Sequence, residues 1–159
     1  MKKLLAILLM VVMSGATLSG CGDPIYDDLE NFLNTQMKEV NADYEKLTAE
    51  VGTWETIEDD AALAKSINET LVPLVDGSLA KLKDISPATE EVKELKEKYI
   101  KVMNAYKEGF TALAKGCETQ EDADIEAGNA GIEKALQLLD EYNKGLEELA
   151  KEHGAEIEY

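Results

Sequence analysis

The chain has 159 residues, with 16 lysines, no arginine, 33 acidic residues, one histidine and two cysteines, for a formal charge of −17. Such acidity excludes nucleic-acid binders, which hold phosphates with clustered positive charge. The lack of arginine removes the bidentate guanidinium clamp, and a single histidine excludes any site built on two imidazoles.

Lys2 and Lys3 precede an apolar run from Leu4 to Met13, followed by the small residues Ser14, Gly15 and Ala16. That order is a secretory signal peptide over residues 1–20. The run rises only about 15 Å as a helix, roughly half a hydrocarbon core, so it is no stable span. It ends in Leu18-Ser19-Gly20-Cys21. These four residues resemble the lipobox of bacterial lipoprotein precursors. The resemblance implies a diacylglycerol on the Cys21 sulfur, cleavage between Gly20 and Cys21, and in many bacteria an N-acyl chain on the new terminus. Two or three chains hold a membrane far better than one. The site expected here is therefore lipidation at Cys21, with no other cofactor, on the extracytoplasmic side of a bacterial cell membrane.

Cleavage would remove Lys2 and Lys3, leaving 14 lysines against 33 acids, a charge of −19. With Cys21 lipidated, Cys117 has no partner in the chain, so the core alone must hold the fold. Residues 21–23 make a tether of at most about 10 Å.

From residue 24 onward apolar residues recur at spacings of three and four, each series being one stripe of an amphipathic helix. Ile25, Leu29, Phe32, Leu33, Met37, Val40, Tyr44, Leu47 and Val51 predict a helix over about 24–51. The stripe from Ile57 to Leu82 predicts a second over about 58–83, and that from Val92 to Leu113 a third over about 87–115. A strict heptad from Ile125 to Leu149 predicts the fourth, over about 121–153. Asp23-Pro24 and Ser86-Pro87 are N-cap signals, while Gly52, Gly116 and Gly154 are stop signals. Short connections between long helices give an all-α, up-and-down four-helix bundle over residues 24–153, with a frayed tail at 154–159. The mature part loosely resembles small uncharacterised helical lipoproteins of bacterial surfaces, a likeness that implies no catalytic residues.

Two places interrupt the pattern. Pro73 lies inside the second helix and is read as a tolerated kink or a split of the helix or, alternatively, as an opening onto an interhelical pocket. Ala127, Gly128, Ala130 and Gly131 thin the fourth helix, for close approach or for a ligand slot.

This topology puts both termini and the 84–86 connection at the membrane end, with Trp54 and Cys117 at the far tip. Trp54 is read as a cap on the core or as an interface anchor. Acidic neighbours of Cys117 should raise its pKa and keep it a thiol. His153 is expected to complement a helix C-terminus. The Glu-x-x-His turns of a bundle di-metal site are missing, so no metal site is expected. The pairs Asp27-Asp28, Glu90-Glu91 and their like fall on polar faces and read as solvated surface. Tyr44, Tyr99, Tyr106 and Tyr142 should bury their rings and carry their hydroxyls to the bundle edge.

The expected function is a non-enzymatic interaction or structural module at the cell envelope, anchored in the membrane, with an unidentified envelope protein as partner. The alternative is a lipoprotein that binds a small ligand or a cation in an interhelical pocket. Nucleic acid is not expected.

Overall fold

The computed structural model describes residues 16–17 and 22–157, so the signal segment and Cys21 lie outside the described residues. Helix α1 (Pro24–Asn31) runs through one π-helical turn (Phe32–Gln36) into α2 (Lys38–Gly52). A 3-10 turn (Trp54–Thr56) leads to α3 (Asp60–Ser66), which continues through a second π turn (Ile67–Leu71) into α4 (Val72–Asp84). Helices α5 (Glu90–Thr119) and α6 (Asp122–Glu152) are uninterrupted. A two-residue strand β1 (Ala16–Thr17) pairs antiparallel with β2 (Glu156–Ile157), Ala16 opposite Ile157. The fold class is all-α.

The two π turns correct the expectation of four continuous α-helices, and their cause is visible in which residues are buried. In the first rod Phe32 and Met37 are both sealed, five residues apart, and Leu33 is only partly buried. An α-helical spacing of five turns the second side chain well off the core; the π bond from the Met37 N–H to the Phe32 carbonyl (2.9 Å) brings both inward. In the second rod Ile67, Leu71 and Val75 are fully buried at successive spacings of four, each of which drifts about 40° around an α-helix. Widening one turn absorbs that drift. Pro73 then falls at the start of α4, where the missing N–H costs little, instead of kinking a helix interior.

Side-chain contacts fix the direction of each rod. Tyr99 meets Tyr142 toward the start of α5, while Gly116 meets Ile125 near its other end, so α6 returns along α5. Lys81 and Ser78 of α4 donate to Asp43 of α2, and Lys107 of α5 pairs with Asp76 of α4 at 2.6 Å. Helices α5 and α6 approach so closely that a Cβ on Gly131 would lie 2.6 Å from the Gly109 Cα, and one on Gly128 2.7 Å from the Leu113 backbone. The thin turn of α6 is thus filled by α5, which leaves no room there for a ligand slot. Gly116, read as a stop signal, is instead another such contact, and α5 runs on to Thr119.

The start of α5 also differs from expectation. Its N-cap is Thr89, not Ser86, because Asp28 of α1 accepts hydrogen bonds from the Ala88 and Thr89 N–H groups (3.0 and 2.8 Å) and the Thr89 hydroxyl (2.7 Å). Asp28 is therefore buried, not solvated surface. Burial raises its pKa, but the three hydrogen bonds and the Lys93 charge outweigh that, and the carboxyl sits below its ordinary value. The tyrosine expectation is corrected as well: the hydroxyls of Tyr44, Tyr106 and Tyr142 are buried, those of Tyr44 and Tyr106 facing each other and that of Tyr142 without a hydrogen-bond partner. At the tail, Ala155 is tied by its N–H to the Ala150 carbonyl at 2.7 Å.

Candidate functional site

Contacts between the rods define two ends. At one end Asp23 caps α1, accepting from the Ile25 and Tyr26 N–H groups through one oxygen. Its other oxygen lies 2.7 Å from His153 Nδ1, at the C-terminus of α6. The His153 contact lowers the Asp23 pKa. The residue two places beyond Cys21 is thereby clasped to the last helix. Helix-end placement of His153 was legible in the sequence; its partner, 130 residues away, was not.

At the opposite end, Trp54 is 6% exposed and lies edge-on to Phe110, ring centroids 5.9 Å apart. The ring plugs the open end of the core and offers little surface to a partner. Two turns of α5 beyond Phe110 stands Cys117, also 6% exposed. Burial, then the charges of Asp60 and Glu118, push its thiol pKa up. An activated nucleophile needs the reverse.

Cys117 forms part of the wall of a cavity of about 340 Å³ between the α3 entry, the end of α5 and the start of α6. Ile57, Leu63, Leu113 and Ile125 supply its apolar wall. Glu58, Asp59, Asp60 and Asp122 supply carboxylates. Gln120 closes one side. Its backbone is left-handed (φ 61°), the only such non-glycine residue among the described residues. From there its amide donates to Asp60 Oδ2 at 3.0 Å and to the Cys117 carbonyl at 2.7 Å, tying the α5–α6 turn to the start of α3. Asp59 is partly committed to capping α3 through the Ala61 N–H.

A second, more open groove of about 530 Å³ runs beside Pro73, bounded by Gly77, Glu69 and, from α2, Asp43, Lys46 and Glu50. Asp43 is buried there. Desolvation raises its pKa, yet hydrogen bonds from Lys81 and Lys46 bring it below the ordinary value. Asp43 stood in none of the acidic pairs singled out from sequence. Its signal, an acid two residues from any charge of like sign on a rod facing Lys81, becomes readable only once the rods are paired.

Among the described residues no three of His, Cys, Asp and Glu converge to hold a metal ion. No helix among them is long and apolar enough to cross a membrane.

A family model described as EMYY-motif containing lipoprotein matches residues 1–153. That span takes in the lipobox and all six helices. The chain belongs to this lipoprotein family. The letters Glu-Met-Tyr-Tyr do not occur consecutively in it. No curated protein and no solved structure matches the chain.

Proposed function

We propose that this EMYY-motif lipoprotein is exported, cleaved before Cys21 and lipidated there, and acts on the extracytoplasmic side of the membrane as a non-enzymatic interaction or structural module. In this reading the rods form an up-and-down four-helix bundle that stands on its anchor end and meets its partner at the other. The observation that carries it is the Asp23–His153 clasp, which gathers both ends of the mature domain beside the anchor. The 30 residues of α5 span about 45 Å, with Trp54 packed on Phe110 about 30 Å along it. A mature charge of −19 supports the same posture, since anionic headgroups repel acidic helix faces within a Debye length of about 8 Å. The buried, unactivated thiol and the engaged histidine support a role without catalysis.

Two measurements test this. Cells fed an alkyne fatty acid should label the full chain and not Cys21→Ser, and fractionation should move the variant out of the membrane. Photocrosslinkers placed at Glu55 and Ala123, at the far end, should trap envelope proteins more often than those at Lys83 and Glu91. Equal or reversed trapping would remove the far-end contact from the reading. The cavity beside Cys117 favours the small-ligand alternative at that same end.

A further inference from the structure

We propose that α1 is a releasable strap that sets the reach of the lipid anchor. Closed, it leaves a tether of three residues; released, it lets the packed body move away from the membrane without unfolding. The inference rests on lipidation at Cys21 only for what pulls on the strap. Its own basis is the way α1 is held.

The packed body begins at Asp23. Gly22 just before it is left-handed (φ 106°), and a Cβ there would meet nothing within 4 Å, so any pull on Cys21 enters the fold through α1. Three features make α1 separable. It is short, Pro24–Asn31, and runs into the π turn Phe32–Gln36, a geometry that chains sustain only briefly and that recurs at functional sites. Its grip on the core is slight: Leu29 is the one α1 side chain in the main apolar core, and Tyr26 is buried outside it. The Tyr26 hydroxyl has no partner among the described residues, so its return to water on release offsets part of the cost of exposing the ring. Segments with few buried apolar contacts are those that open locally.

The third feature is the pair of ties. Asp23 reaches His153 at the end of α6 at 2.7 Å, and Asp28 accepts from Ala88 and Thr89 at the start of α5. Two carboxylates five residues apart thus fasten one short helix to two others. Those two are joined to each other by the Gly109–Gly131 and Gly128–Leu113 contacts, which do not involve α1 and stay in place when it leaves. The eight residues of α1 extend to at most about 27 Å against a helical rise of about 12 Å, so release adds about 15 Å to the anchor's reach.

Native-state hydrogen exchange in low urea, on the full chain carrying Cys21→Ser, reads this opening helix by helix. Amides of residues 27–31 should exchange at least about hundredfold faster than those of residues 135–146 in α6, with a much weaker urea dependence. His153→Ala should speed the α1 amides at least about threefold, and His153→Gln, which keeps a donor for Asp23, should speed them less. Gly131→Ala weakens the α5–α6 seam in the closed and released states alike. It should therefore speed the α6 amides and leave those of α1 unaltered. Reach is read by pulling the full chain between Cys21 and Ala123→Cys, with Cys117→Ser. A first step of about 15 Å should precede global unfolding and occur at lower force in His153→Ala. An α1 that exchanges at the α6 rate with the same urea dependence, an α1 rate indifferent to His153→Ala, or a single all-or-none rupture would overturn the proposal. If Cys21 takes up no alkyne fatty acid while exchange and step stand, the anchor reading falls and the strap remains. A lipidated chain that opens only as a whole removes the strap and keeps the anchor.

Discussion

Asp28 and Asp43 are buried carboxylates that each tie two rods together, one through backbone N–H groups and a hydroxyl, the other through lysines. Hydrogen bonds to a charged acceptor contribute about 1.5–3 kcal/mol, so Asp28→Asn should destabilise the fold by about 2 kcal/mol in urea unfolding. Both groups have folded pKa values below the ordinary 3.8. The stability they supply is therefore full above that value and is lost as the pH falls through it toward the folded pKa. The gap between wild type and Asp28→Asn should close over the same acid range. Tyr142 makes the opposite case. Its hydroxyl is buried with no partner, so Tyr142→Phe removes an uncompensated polar group and should gain about 1 kcal/mol. A loss of that size would mean that ordered water satisfies the hydroxyl.

At the scale of elements, the glycines separate into two kinds. A Cβ at Gly131 meets the backbone of α5, which cannot yield as a side chain tip does. Gly131→Ala should push α5 and α6 apart and cost more than the roughly 1 kcal/mol that alanine gains in a helix interior. At Gly77 nothing lies within 4 Å, so Gly77→Ala should raise stability by about 0.5–1 kcal/mol. Urea midpoints of the two variants should therefore move in opposite directions. Sequence separated the two only in part: Gly131 stands in a turn of small residues that reads as a close helix approach, whereas nothing around Gly77 says whether a neighbour fills its space. The π turns were half legible in the same way. The run Ile67, Leu71, Val75 shows its drift on the page, but Phe32 and Met37 are each plausible members of an α stripe until burial shows that both face inward.

For the whole molecule, Trp54 decides how the far end works. As a core plug, Trp54→Ala should cost about 3–5 kcal/mol, read by urea or thermal unfolding. Trp54→Phe should cost less, because the indole N–H has no partner to lose. An alanine variant of unchanged stability would return the ring to the role of an interface anchor. With the ring buried, the surface of that end is made by the acids around the Cys117 cavity. Sequence placed Trp54 and Cys117 together at that tip, yet Leu63 and Asp60 join Cys117 only because α3 packs against the end of α5.

The likeness to lipoproteins and the all-α fold class were legible in sequence alone. The run that resembles a lipobox and the helical periodicity are local patterns, carried by spacings of four residues or fewer and by the order of charged, apolar and small residues. The tertiary structure decided the rest: the Asp23–His153 clasp, the Asp28 bonds that start α5, the glycine seam between α5 and α6, and the cavity beside Cys117. Each joins different helical rods or depends on how they pack, so it comes from burial and distance in space, which no spacing along the chain specifies.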